Sequence, residues 1–341
     1  MSKTALIFAG QGAQVVGMGR DLAETFPTAK AWFGRANAAL GYDLASICFA
    51  GPEAELTKTE NAQPGIFLVS WVAYQLLKEQ MPRLDFDATA GLSLGEFTAL
   101  TAAECFTFED GLRIVRQRGK FMQEACEVTH GGMAAIIGLD EAQTRAVCAE
   151  TGVWLANLNC PGQLVISGET ANITKACELA KSRGAKRALP LTVAGAYHSP
   201  LMASAQPKLA AELARINVSV PIVPVISNVT AQEHGDPASI STRLVEQVTS
   251  SVLWENSIRA LLGQGFTRFI ELGPGTALTG FLKRIDKSAQ CLNVGDVHSL
   301  AHTVKALNHK PHHHHHHHHH AGSFGSFSVH LPNSVEGLSK L

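Results

Sequence analysis

The stretch ATAGLSLGEFTAL, residues 88–100, sets a serine between two glycines: Gly91-Leu92-Ser93-Leu94-Gly95. A serine hydroxyl is a poor nucleophile at neutral pH. It needs a base, and the base needs something to hold its tautomer. The pattern G-x-S-x-G is short enough to occur by chance, so its weight depends on whether a strand runs into it and a helix leaves it. Ahead of His312, the chain offers six histidines as the base: 130, 198, 234, 298, 302 and 309. His130 and His234 lie beside glycines in polar loops (THGG, EHGD), and the last three approach a histidine-rich tail. His198 differs. It follows an expected strand in GAYHSPLM, where an inserted unit returns to the main domain, and domain junctions are a usual place for a cleft. Alone, such a histidine is more often structural; paired with Ser93 it is the leading base.

Acyl transfer also needs donors for an oxyanion. The backbone N–H of Leu94, at the start of the helix after the serine, is one. The turn FAGQGAQ after the first strand can supply a second, since its glycines allow close approach and Gln11 or Gln14 carries an amide. No G-K-[ST] follows, which excludes a P-loop.

The elements that must position these groups are legible. Residues 3–9 read as an apolar strand, followed by amphipathic helices near 17–40 and 63–79. Residues 88–91 are short, small and apolar, and helical periodicity resumes at Leu94 and again over 108–126. Ser93 therefore sits between a strand and a helix, as the nucleophile hypothesis demands. From 132 the order is strand (MAAIIGL), helix opened by a capping Asp140, strand (VWLANLN), a Pro161-Gly162 turn, strand (QLVISG), helix, and strand (KRALPLTV). This βαββαβ order is the ferredoxin-like arrangement. The expected organisation is an α/β core over 1–130 and 196–295, a ferredoxin-like insertion over 131–195, and a tail over 296–341. Later strands are expected at 222–229 and 268–272, with helices near 238–249 and 254–264, before ELGPGTALTGFLKRI closes the core.

Composition sets the outer limits. Of 341 residues, 45% are hydrophobic and 17% charged, which fits a compact soluble protein. The formal net charge of -1 gives no global attraction to nucleic acid or to an anionic membrane. Seven scattered cysteines, never spaced C-x-x-C, argue for reduced thiols in a cytoplasm and against a disulfide scaffold or a zinc cluster. The N-terminus lacks a signal-like apolar region, and no apolar run is long enough to span a bilayer. Nine consecutive histidines, 312–320, read as an engineered tag or a disordered tail without fixed ligand geometry, so no metal site is expected.

A set of ordered motifs then points further: FAGQGAQ (8–14), QPGIF (63–67), GLSLGEFTAL (91–100), RQRGKFM (116–122), NLNCPGQLVISG (157–168), GAYHSPLM (195–202), VISNVTA (225–231) and ELGPGTALTG (271–280). Over about residues 3–290 the chain resembles the malonyl-CoA:acyl-carrier-protein transacylase family. The resemblance implies an α/β-hydrolase-like core carrying the ferredoxin-like subdomain, with the active site between them. It makes Ser93 the acylated nucleophile, His198 its general base, and Gln11 with the Leu94 amide the oxyanion hole. Arg118 becomes the clamp on the malonyl carboxylate, a role suited to a planar guanidinium that can give two parallel hydrogen bonds. From periodicity alone Arg118 reads as a solvated helix residue. The main-chain carbonyl that orients the histidine is expected at Leu253. Gln63, Leu92 and Met122 fall among the substrate-binding residues, and Asn159, Lys186 and Arg187 fall where the pantetheine arm and phosphates of the thioester are met. Tyr197 matches a position where, in acyltransferases of modular synthases, an aromatic residue accompanies malonyl use and a small one methylmalonyl use. One departure is Leu92, where the family commonly has a histidine; leucine cannot hydrogen-bond the acyl group.

The implied function is transfer of malonyl from coenzyme A, through a Ser93 ester, to the pantetheine thiol of an acyl carrier protein in fatty-acid biosynthesis. The same motifs suit a stand-alone acyltransferase loading a polyketide synthase. Malonyl-CoA is then a substrate, and no cofactor, nucleic-acid or membrane partner is expected. A general esterase is disfavoured by Arg118, and a non-catalytic binding module by the intact Ser93 and His198.

Overall fold

The computed structural model describes residues 2–309. The first strand, β1 (Lys3–Phe8), is exposed at Lys3 and buried over its remaining five residues. A near-continuous apolar strand of this kind belongs inside a parallel sheet covered on both faces. It does so here. β2 (Ala88–Gly91) pairs parallel to it on one side with Phe8 opposite Gly91. After four more strands in an antiparallel sheet, β3 (Gly131–Ile137), β4 (Trp154–Cys160), β5 (Gln163–Glu169) and β6 (Arg187–Pro190), the chain returns to the parallel one. There it adds β7 (Val225–Ile226), β8 (Phe266–Leu272) and β9 (Gln290–Val294), giving the order β7-β2-β1-β8-β9. All pairings in this sheet are parallel. The C-terminal ends of β1 and β2 lie side by side, so the turns that follow them, carrying Gln11 and Ser93, emerge together. That is where open α/β sheets place ligands.

The second sheet has the order β4-β5-β3-β6 and is antiparallel throughout. The helices Glu141–Thr151 and Thr170–Ser182 join its strands, the first opened by a reciprocal Asp140–Gln143 capping box. One of its faces forms a separate small core around Ile136, Leu164 and Ile166, while Met133 and Val165 on the other face join the main core. The sheets are also tied along an edge. Val252 forms a parallel bridge to Asn157 of β4, giving its N–H to the Ala156 carbonyl at 2.8 Å and accepting from Leu158 at 3.0 Å.

Helices Thr59–Gln80 and Phe108–Glu127 position the remaining site residues. The first is buried around most of its circumference, as a helix enclosed by others must be. The second buries Gly111, Val115, Arg118, Met122 and Ala125, one stripe at helical spacing. At Gly119 a Cβ would lie 2.5 Å from the Thr59 carbonyl, so glycine there lets the two helices touch.

Two boundaries need correction. The tail does not begin at 296: β9 leads into the helix Val297–Leu307, which is opened by an Asp296 cap, and Asp21 accepts from the Val297 N–H at 2.8 Å. The strand expected at 222–229 shortens to Val225–Ile226, because Ser227 to His234 turn back on themselves through an Ile226–Glu233 bridge. The histidine run lies outside the described residues. Among the described residues, no helix is long and apolar enough to cross a membrane.

Candidate active site

Ser93 occupies a sharp turn between β2 and the helix Leu94–Ala102, with φ 58° and ψ -112°. A non-glycine residue in that region is strained and persists only where its surroundings enforce it. The flanking glycines show why the pattern is needed. A Cβ on Gly91 would sit 1.8 Å from the Gly95 carbonyl oxygen, and one on Gly95 would sit 2.3 Å from that of Phe8. The Ser93 hydroxyl makes no cap for its own helix. Instead, the Asn228 side-chain oxygen accepts from the Ser93 N–H at 2.7 Å, and Ser93 Oγ lies 2.8 Å from His198 Nε2.

The other imidazole nitrogen, Nδ1, is 2.9 Å from the Gln247 carbonyl. A carbonyl only accepts, so Nδ1 carries the proton and Nε2 is left to receive the one on Ser93. Leu253 does not do this. Its N–H donates to the Asn228 carbonyl and its own carbonyl accepts from Ser257, so the orienting carbonyl comes from Gln247, six residues earlier, at the end of the helix Pro237–Gln247. His198 is buried, and burial first, then the neighbouring Arg118 cation, push its pKa down to about 4; the Gln247 carbonyl opposes them. The imidazole is therefore neutral across the physiological range. Sulfonylation of Ser93 by a neutral sulfonyl fluoride should stay level as pH falls from neutrality and drop with an apparent pKa of about 4, below the ordinary 6.5. A pH–rate profile checks this, and an inflection near 6.5 would contradict it.

Arg118 is 1% exposed, which overturns the solvated-helix reading. Its guanidinium donates to Gln63 Oε1 at 2.8 Å, Gln247 Oε1 at 2.7 Å and Ser93 Oγ at 3.0 Å, and lies 5.3 Å from the Phe97 ring centre. Burial lowers its pKa to about 10, which still leaves it cationic at neutral pH. All three hydrogen-bond acceptors are uncharged. A buried cation beside the Ser93 hydroxyl, held by neutral dipoles, can accept an anionic part of a substrate.

The other residues named from the sequence divide clearly. Gln63 Nε2 reaches Gln11 Oε1 at 3.4 Å and Met122 Sδ at 3.5 Å, which brings all three into the site. Tyr197 is buried, with its hydroxyl 2.9 Å from Thr59 Oγ1, a group that Gln11 also approaches at 3.4 Å. Leu94 is the first residue of its helix, where an N–H has no intrahelical acceptor. Leu92 is buried against the Gly10 turn. Asn159 is fully buried on β4, with neither side-chain polar atom partnered among the described residues. Lys186 and Arg187 are exposed and do not join this cluster. Arg187 pairs with Ile137 at one end of β3, whereas the Gly131 end abuts Ala196. Six residues of strand amount to about 20 Å. An open cavity of 220 Å³ connects His198 with Trp154, Leu155 and Arg145 of the antiparallel unit.

Sequence reasoning missed Gln247, Asn228, Glu96 and His234. His234 is no polar-loop residue: its side chain is buried, with Nε2 2.5 Å from Glu96 Oε2. The S-x-x-E spacing of Ser93 and Glu96 was the available signal, but it resembles a helix-capping box.

A family model described as "Acyl transferase domain" matches residues 5–319. The chain belongs to the acyl transferase family. The match runs past 290, where the motif resemblance was expected to end. This acyltransferase is 44% identical over 315 residues to the malonyl CoA-acyl carrier protein transacylase of Bacillus subtilis, covering 91% of this chain and 99% of that one. Among solved structures, that of the malonyl CoA-acyl carrier protein transacylase of Coxiella burnetii superposes with a TM-score of 0.87 at 35% identity, covering 90% and 98% of the two chains. A malonyl-transacylase solved in complex with its type II polyketide acyl-carrier protein gives 0.86 at 38%, covering 89% and 100%. The mixed α/β arrangement of a parallel and a separate antiparallel sheet is thus that of acyltransferases of known structure.

Proposed function

We propose that this acyltransferase moves malonyl from coenzyme A to the phosphopantetheine thiol of an acyl carrier protein, by a ping-pong route through an ester on Ser93, in the fatty-acid biosynthesis of the cytoplasm. The observation that carries the reading is Arg118, a buried cation 3.0 Å from the nucleophile. In a malonyl thioester one carbon separates the carbonyl to be attacked from the free carboxylate, so a cation this close to Ser93 fits a short diacid. In the first half-reaction Ser93 Oγ attacks the thioester carbonyl as its proton passes to His198 Nε2, and the coenzyme A sulfur leaves with that proton. In the second, the carrier's thiol gives its proton to the same nitrogen and its sulfur attacks the ester, and Ser93 Oγ departs protonated. The Leu94 N–H and Gln11 supply the oxyanion donors. No cofactor takes part.

The architecture is read as an α/β-hydrolase-like core, 1–130 with 196–295 and onward, carrying a ferredoxin-like subdomain over 131–195. The βαββαβ order and the cavity between the two units support this. Asn159, Lys186 and Arg187 are proposed for the pantetheine arm and phosphates. The arm separates thioester from phosphates, so cations for the latter belong away from the serine.

Mixed with malonyl-CoA and a pantetheinylated carrier protein, the enzyme should add one malonyl mass to the carrier, and it should release coenzyme A beyond a single equivalent per enzyme only when carrier is present. Equal release without carrier, with free malonate appearing, would instead make it a hydrolase. The second reading, service to a polyketide synthase, draws on the relative solved with such a carrier. Comparing kcat/KM for fatty-acid and polyketide carriers decides between them.

A further inference from the structure

Behind Ser93 lies a buried chain of polar groups that the transfer steps do not use. Glu96, on the first turn of the Ser93 helix, and His234, just after β7, have side chains 1% and 0% exposed. Glu96 Oε2 meets His234 Nε2 at 2.5 Å, and Oε1 accepts from the Asn228 N–H at 3.2 Å and from Gln247 Nε2 at 2.9 Å. Gln247 in turn touches both His198 and Arg118: its carbonyl accepts a hydrogen bond from His198 Nδ1, and its Oε1 accepts one from the Arg118 guanidinium.

A glutamine amide has a donor end and an acceptor end of nearly the same shape, and only its partners decide which way it faces. Arg118 can only donate, so the clamp requires the oxygen. An ionised Glu96 can only accept, so it requires the NH2. The Ser93 carbonyl at 3.0 Å and Asn228 Oδ1 at 3.3 Å pull the same way, but Glu96 gives the shortest contact of the three and the only one from a carboxyl group. The second imidazole nitrogen of His234 has no partner among the described residues, so Glu96 is the ring's one polar contact there.

We propose that Glu96 and His234 are positioning residues: they fix which way the Gln247 amide faces, and through it hold the Arg118 guanidinium in place for an acidic acyl group. This rests on the reading of Arg118 as the carboxylate clamp. Loss of the anchoring contact lets the amide turn and present its NH2 to the guanidinium, so the clamp is lost while Ser93 and His198 remain.

The test compares His234→Phe, Glu96→Gln and His234→Gln with the native enzyme and with Arg118→Ala. The malonyl-to-acetyl ratio of kcat/KM should fall about tenfold in His234→Phe and Glu96→Gln, mainly through KM for malonyl-CoA. Sulfonylation of Ser93 by a neutral sulfonyl fluoride should change by less than roughly threefold, because it needs the nucleophile and base but not the clamp. His234→Gln, whose amide nitrogen reaches the Nε2 position, should restore the ratio. A purely structural pair would lower Tm and both reactions together and leave the ratio alone, which would overturn the proposal. An unchanged ratio in these variants while Arg118→Ala loses it refutes the positioning role alone. An unchanged ratio in Arg118→Ala refutes the clamp itself, and the proposal with it.

Discussion

Replacing His198 with alanine is expected to slow both half-reactions by roughly 10²–10⁴-fold, the usual contribution of a positioned general base. In the proposed route one nitrogen serves both directions: Nε2 stands 2.8 Å from Ser93 Oγ, with its tautomer set by the Gln247 carbonyl on the far side of the ring. A base that served acylation alone would leave deacylation by the carrier thiol intact. Rapid-quench intact-mass measurement separates the two steps. Native enzyme mixed with malonyl-CoA should gain one malonyl mass, His198→Ala should gain it slowly, and Ser93→Ala should gain none. Equal labelling of Ser93→Ala would remove the serine from the mechanism.

Arg118→Ala should lose malonyl transfer while keeping, or even gaining, transfer of uncharged acyl groups. A charge-assisted hydrogen bond contributes about 1.5–3 kcal/mol, or roughly ten- to a hundredfold in the malonyl-to-acetyl ratio of kcat/KM. The substitution has a second, independent signature. The guanidinium is one of the causes that depress the His198 pKa, so its removal should move the acid limb of Ser93 sulfonylation upward from about 4. Loss of the ratio without that movement would place the cation farther from the base than the structure does. Tyr197 acts differently, by occupying space. Tyr197→Ser should relax discrimination against methylmalonyl alone, and by less, since one methyl is worth only about 1–3 kcal/mol.

The sequence disclosed the parts of this site that obey local rules. Ser93 was legible because a strand, a tight turn and a helix each leave a periodicity, and the two glycines mark where backbone crosses backbone. His198 was legible as the one candidate at a junction. Arg118 was legible only through resemblance: its burial depends on the Thr59–Gln80 helix closing over it, a tertiary fact that helical periodicity does not encode. The orienting carbonyl was misplaced to Leu253 because any residue can offer a carbonyl, so no side chain advertises the role. His234 was discounted for its glycine neighbour and polar surroundings, yet its partner Glu96 lies 138 residues away. The helix Val297–Leu307 was absorbed into the tail by its nearness to the histidine run.

All seven cysteines are buried and unpaired. Burial raises every thiol that is shifted, with Cys48, Cys105, Cys160 and Cys291 pushed up to about 12 and Cys126 and Cys148 to about 11. Only the thiolate attacks a thioester. The enzyme handles activated acyl groups that any ionised protein sulfur could siphon off by exchange, and burial favours the thiol form of its own sulfurs. On the proposed route the acyl group is parked on the oxygen of Ser93, while both competent sulfurs, donor and acceptor, arrive from outside. At the bench, a disulfide dye that reports liberated coenzyme A should see a native enzyme with no background of its own, so turnover can be followed continuously.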